Sequence, residues 1–252
     1  MRPLLVICLV TVVAGCAYLR PTSEPIPTRW HTTGEEPATT LLVFLPGVLD
    51  THEDLFHLGA VDTAADAGID WDIVAVDAHM GYYRERSFLE RLSQDVLEPA
   101  RERGYEEFWL TGPSLGGFGS LFYWCRERDA DIAGIIAIAP HLGGDAVLDS
   151  IRTAGGLDDW QPDPEVGQRH ERELWTCLQD LPAEPPIWLA YGENDHLAPA
   201  NALLAGQLPG DRVLTNEGEH RWSDWLPLWS RIFARIANAD DTAEFSRTAP
   251  QR

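Results

Sequence analysis

The chain has 252 residues and carries 40 acidic against 19 basic side chains, a formal net charge of −21. So large an excess of negative charge excludes nucleic acid and anionic lipid surfaces as electrostatic partners. Every basic residue is an arginine; that fits a surface adapted to high external salt as well as it fits a compositional preference for arginine.

The first residues read as an export signal. Met1-Arg2 is a short positive start, Leu4 to Val13 is apolar, and Val13-Ala14-Gly15 leads to Cys16. The apolar run is too short to cross a bilayer as a stable helix and matches a secretory signal over 1–15. The Val-Ala-Gly-Cys ending resembles the lipobox of bacterial lipoproteins; the other reading is an ordinary cleaved signal with a chance cysteine. The resemblance implies lipid attachment at Cys16 and an anchor in a membrane of the cell envelope. With Ala17 after the cysteine, it favours the outer membrane or periplasmic face over the inner membrane. Over 16–39 the chain is rich in Pro, Thr and Glu, including Pro21, Pro25, Pro27 and Pro37, and reads as a semi-rigid tether. Residues 40–238 are expected to form one domain and 239–252 a polar, frayed tail.

Within the domain, apolar strands alternate with amphipathic helices. The expected strands are Leu41 to Leu45, Trp71 to Val76, Glu107 to Thr111, Ile132 to Ile138, Ile187 to Tyr191 and Arg212 to Thr215. Several are apolar without alternation, as in strands buried on both faces. The expected helices are Asp54 to Ala67, Phe88 to Arg103, Leu115 to Arg128, Pro199 to Gln207 and Trp222 to Ala237. This order implies an α/β fold with a doubly wound, mostly parallel sheet. Residues 145–186 break the rhythm with two short helical patches and no strand, and read as a small cap insertion. With Cys8 in the signal and Cys16 in the lipobox, Cys125 and Cys177 are an even pair in an oxidising compartment. A disulfide and two separate buried thiols are both open readings.

One motif carries chemistry. Gly112-Pro113-Ser114-Leu115-Gly116 lies directly between an expected strand and an expected helix. That is the setting of a nucleophile elbow, where flanking glycines let two backbones approach while the serine hydroxyl is pushed into the open. A serine needs an imidazole to take its proton, and the imidazole needs a carboxylate on its far nitrogen. Asp195 follows the strand Ile187 to Tyr191, and His220 follows the strand Arg212 to Thr215, both at carboxyl strand ends where open α/β sheets bind ligands. They are the expected acid and base, with Glu193 and then Asp224 as alternative acids. The oxyanion donors are expected to be the backbone N–H groups of Leu115, after the nucleophile, and Val48, after the first strand, with Leu49 as the alternative. His79 and His141 are expected to line the pocket. His31, His57 and His170 read as ordinary surface or satisfied residues. No metal-ligand cluster or cofactor-binding loop is recognisable.

The set Leu-Pro-Gly-Val (residues 45–48), Gly-Pro-Ser-Leu-Gly-Gly (112–117), Gly-Glu-Asn-Asp (192–195) and Gly-Glu-His (218–220) resembles the α/β-hydrolase superfamily. The run His220-Arg221-Trp222-Ser223-Asp224-Trp225 is similar to the His-x-Trp-x-x-Trp ending of esterase D and antigen 85-like esterases. The resemblance implies the α/β-hydrolase fold from Leu41 to Ala237, with the first strands of a full eight-stranded sheet missing or reduced. It also implies a carboxylic ester hydrolase working through an acyl-serine intermediate on a small-molecule ester, without a cofactor. The absence of a lipase-type His-Gly-Gly-Gly argues against bulky tertiary esters. The same triad would serve an acyltransferase or a thioesterase, and a non-catalytic lipoprotein binding module is the reading from another class.

Overall fold

The computed structural model describes residues 20–248, with side chains through residue 238. The expected signal over 1–15 and Cys16 lie outside the described residues, as do the side chains of 239–252. Strands β1 (Thr28–His31), β2 (Thr40–Phe44), β3 (Asp72–Val76), β4 (Glu107–Pro113), β5 (Ile132–Ile138), β6 (Ile187–Gly192) and β7 (Val213–Asn216) form one seven-stranded sheet. Their spatial order is β1-β3-β2-β4-β5-β6-β7. β1 runs antiparallel to β3, and every other pairing is parallel. β2 and β3 are buried along their whole length, which is why their sequences show no polar alternation. The chain leaves β2 for β3 on one side and returns to β4 on the other. The order therefore reverses between β2 and β4, and the crevice at their carboxyl ends is the natural ligand site of such a sheet.

Helices α1 (Asp54–His57) and α2 (Ala60–Asp66) replace the single helix expected there. Gly59, at φ +85°, is the left-handed residue that separates them. A short α3 (Met80–Arg84) follows β3 and was not anticipated. The expected helix from Phe88 consists of α4 (Phe88–Leu92) and α5 (Glu98–Glu102), joined through a π turn over Ser93–Leu97. Next come α6 (Leu115–Glu127), α7 (Asp145–Thr153), α8 (Arg169–Leu178), α9 (Ala198–Ala205) and α10 (Trp222–Thr248). On α10, Trp225, Leu228, Trp229, Ile232, Phe233 and Ile236 form a buried stripe at helical spacing. Trp229 donates Nε1–H to Thr111 Oγ1 at 3.0 Å, and its ring meets Phe44 edge-on with centroids 4.9 Å apart. The helix behind His220 is thereby keyed to β2 and β4.

The segment expected to be a tether is folded onto the domain from Arg20 onward. Arg20 pairs with buried Asp77, the Ser23 N–H donates to Tyr82 Oη at 3.0 Å, and the Ile26 N–H donates to Asp95 Oδ2 at 2.9 Å. Ile26 is itself buried, and β1 adds an antiparallel edge to the sheet. Its Trp30 contacts the ring of Tyr105, with centroids 6.0 Å apart, and the guanidinium of Arg103, at 4.5 Å. Composition did not reveal this because specific partners, rather than a continuous apolar run, secure the segment. The reduced sheet edge expected at the start of the domain is partly supplied by this strand.

Residues 145–186 hold α7 and α8. Glu171 is nearly buried and takes the backbone N–H groups of Gly144 and Gln168, at 2.8 and 2.6 Å, one on each oxygen. Trp175 donates Nε1–H to the Leu142 carbonyl at 2.6 Å, and the Gln179 amide reaches the carbonyls of Leu157 and Trp160. Cys125 on α6 and Cys177 on α8 are disulfide-bonded, with Cα atoms 5.9 Å apart. Of the two open readings of that pair, the disulfide is the one found. Among the described residues, no helix is long and apolar enough to cross a membrane.

Candidate active site

Ser114 stands alone between β4 and α6, at φ +52° and ψ −111°. A non-glycine residue in this region costs on the order of 1–3 kcal/mol, and such strain persists only where surroundings impose it. Here the Ser114 N–H donates to the Ile138 carbonyl at 2.9 Å, while its own carbonyl accepts from Phe118 and His141 at 3.0 and 3.1 Å. The flanking glycines are sterically required. A Cβ at Gly112 or Gly116 would collide with the Leu45 carbonyl oxygen. β2, β4 and α6 thus meet at contact distances that only the Gly-x-Ser-x-Gly spacing allows.

Asp195 sits in the turn after β6. Its side chain is fully buried: Oδ1 accepts the Leu197 N–H at 2.8 Å, and Oδ2 lies 2.7 Å from His220 Nδ1. His220 comes from the loop between β7 and α10, which is laced to the Asp195 turn. The Glu193 N–H donates to the Asn216 carbonyl at 2.8 Å, and the Asn194 N–H to the Gly218 carbonyl at 3.0 Å. Gly192 is needed at that crossing, since a Cβ there would strike the Gly218 carbonyl. The imidazole also meets two rings edge-on, His196 at 4.6 Å and Trp225 at 4.8 Å.

The alternative acids point elsewhere. Glu193 Oε1 accepts from Thr215 Oγ1 at 2.8 Å. Asp224 takes the Glu219 N–H at 2.7 Å and Arg221 Nε–H at 2.8 Å, and these bonds, the backbone one first, hold its carboxyl below the usual range.

A cleft of about 580 Å³ opens over Ser114, and Val48, Leu115, His141, Arg152 and His220 share its lining. Both expected oxyanion residues therefore border the same space as the serine. Met80 and Arg152, which sequence reasoning did not single out, line the cleft too, as does His196, one of the histidines that follow an expected strand. Arg152 is contributed by α7, the first helix of the segment expected to form a cap insertion.

His79 does not line the cleft. It is buried behind it and serves as the N-cap of α3, its Nδ1 accepting the Gly81 N–H at 3.1 Å. Burial and then the Arg20 charge push its pKa down. Its neighbour Met80 takes the position expected of it, because the α3 turn directs adjacent residues to different sides. His141 does line the cleft, and burial holds it below the ordinary histidine range, with His196 and His220 among the lesser influences.

Asp195, His196 and His220 offer donor atoms within 4.8 Å of one another. Their chemistry fits a metal poorly. Both Asp195 oxygens are already engaged, by the Leu197 N–H and by His220, and the side chain has no solvent-facing surface.

No protein-family model matches the sequence, and no curated protein matches it. Solved structures do match in three dimensions. A ferulic acid esterase superposes with a TM-score of 0.58 at 13% identity, covering 84% of this chain and 96% of that one. S-formylglutathione hydrolase from Staphylococcus aureus gives 0.55 at 12% identity, covering 86% and 99%. Est1E from Butyrivibrio proteoclasticus, with ferulic acid bound, gives 0.54 at 17% identity, covering 85% and 94%. The fold is that of the α/β-hydrolases. Ser114, Asp195 and His220 lie in that chain order just past the carboxyl ends of β4, β6 and β7.

Proposed function

We propose that the chain is a serine hydrolase that cleaves carboxylic esters through an acyl-Ser114 intermediate. The observation that carries this reading is the shared cleft: Ser114, in its strained turn between β4 and α6, borders it together with His220, whose Nδ1 lies 2.7 Å from buried Asp195.

In this reading His220 Nε2 takes the Ser114 proton as Oγ attacks the ester carbonyl, and returns it to the departing alcohol. Asp195 keeps the other imidazole nitrogen protonated and stabilises the imidazolium that forms. The N–H groups of Val48 and Leu115 receive the charge on the tetrahedral oxygen, Leu115 as the first residue of α6, where the helix dipole favours an anion. Water admitted through the cleft then attacks the acyl-enzyme with the same base assisting.

The ester is a small molecule of a size the cleft holds. The protein is proposed to work from the envelope face of a bacterial membrane, through lipid on Cys16; loss of labelled palmitate incorporation in Cys16→Ser is the expected outcome, and retained incorporation would contradict it. The catalytic reading is tested with p-nitrophenyl butyrate. Ser114→Ala should lose up to ~10⁶-fold in kcat if the three residues act as a unit, and a variant retaining most of its activity would refute the assignment.

A further inference from the structure

The loop that bears Val48 is secured by a carboxylate that the catalytic reading leaves without a task. Asp50 lies two residues after Val48, and its two oxygens serve two different elements. Oδ2 accepts the Gly47 N–H at 3.2 Å, while the Asp50 N–H donates back to the Gly47 carbonyl at 3.2 Å. Oδ1 accepts Nε1–H of Trp222 at 3.4 Å. Trp222 is the first residue of α10, two past His220. It packs against Trp225 at 5.6 Å and Trp229 at 5.7 Å, and Trp225 in turn holds the His220 ring. A Cβ at residue 47 would stand 2.6 Å from Asp50 Oδ2, so a side chain there would displace the carboxylate from this position.

We propose that Asp50 is a positioning residue that clamps the oxyanion loop to the helix start behind His220, so that the anion-receiving N–H of Val48 and the base are held in one geometry. The inference rests on the serine-hydrolase reading of the site. Two donors on two oxygens is a demand only a carboxylate meets here. An asparagine would keep one acceptor and turn an NH₂ donor toward the other N–H, so one bond is lost and a repulsion gained. The charged groups facing the carboxylate are Asp54, which disfavours its ionisation, and His220, which favours it. Burial is the largest influence and raises its pKa, against the pull of the Trp222 and Gly47 donors.

The test uses Asp50→Asn, Asp50→Ala and Trp222→Phe in the full chain, assayed with p-nitrophenyl butyrate and with a trifluoromethyl ketone, whose hemiketal oxygen occupies the oxyanion position. Removing one oxyanion donor outright costs ~10²–10³ in rate, so a donor merely loosened should cost kcat ~10- to 100-fold with KM within ~2-fold. The ketone Ki should rise in parallel with the kcat loss, which a defect in folding alone would not produce. Trp222→Phe keeps an aromatic ring and loses only the N–H. It should show a smaller loss of the same kind, and add little on the Asp50→Asn background, as expected of two residues in one network. The inference is overturned if Asp50→Asn, or Trp222→Phe where the former does not fold, keeps kcat and Ki within ~2-fold of the parent while Ser114→Ala is inactive. A parent that neither turns over ester nor binds the ketone would overturn the hydrolase reading, and this inference with it.

Discussion

Replacing Asp195 with asparagine separates geometry from chemistry at the site. The amide has almost the shape of the carboxylate, so packing around the buried side chain should be preserved. Its hydrogen bonding is not equivalent. Oδ1 accepts the Leu197 N–H at 2.8 Å and Oδ2 faces His220 Nδ1 at 2.7 Å. The backbone donor cannot move, so the amide oxygen turns to Leu197 and the NH₂ group turns to the imidazole. His220 must then present a bare Nδ1 and carry its proton on Nε2, the nitrogen that receives the Ser114 proton in the proposed mechanism. A tautomer reversal of this kind costs ~10⁴ in kcat, or about 5 kcal/mol in the barrier. The assay is steady-state p-nitrophenyl butyrate hydrolysis by Asp195→Asn, with its melting temperature measured alongside. A folded variant that loses less than ~10-fold would refute the orienting role.

Two further outcomes concern the scaffold. Cys125 and Cys177 are 52 residues apart in sequence, a closure worth up to about 4 kcal/mol in the unfolded chain, so the double serine variant should melt at lower temperature while retaining the Ser114 site; an unchanged melting curve would contradict this. Burial by itself would raise the Asp72 pKa, but Tyr105 Oη–H, the Thr33 hydroxyl and the N–H groups of Thr33 and Ala38 outweigh it and depress the value. A depressed carboxylate adds stability that is fully present above its unfolded pKa of ~3.9 and is lost as pH falls through the folded value. Urea unfolding of Asp72→Asn should therefore show a deficit at pH 7 that shrinks toward acid, and a pH-independent deficit would count against it.

The parallel core was legible because its strands are continuous apolar runs, and strand ends were misplaced by no more than a residue or two. The Ser114 turn was legible for a different reason. Steric demand at Gly112 and Gly116 is written into residue type, and so is the need for an imidazole and a carboxylate on later loops. Features secured by particular long-range partners were not legible. β1 consists of Thr, Arg, Trp and His between prolines, and its pairing with β3 is what shows that it belongs to the sheet. Gly59 split an apparently continuous helix, since a lone glycine in a helical pattern does not reveal a positive φ. His79 and His141 looked alike as histidines after strands; the α3 cap took one away from the cleft, and the bond from the His141 N–H to the Ser114 carbonyl kept the other beside the nucleophile.

The central claim is that Ser114 is a nucleophile activated by its own fold. The most direct measurement is reaction of the folded protein with a fluorophosphonate, read by intact mass and peptide mapping. A single adduct on Ser114, lost in Ser114→Ala and strongly slowed in His220→Ala, is the predicted result. Folded protein that takes no label, or takes it at another residue, would contradict the account.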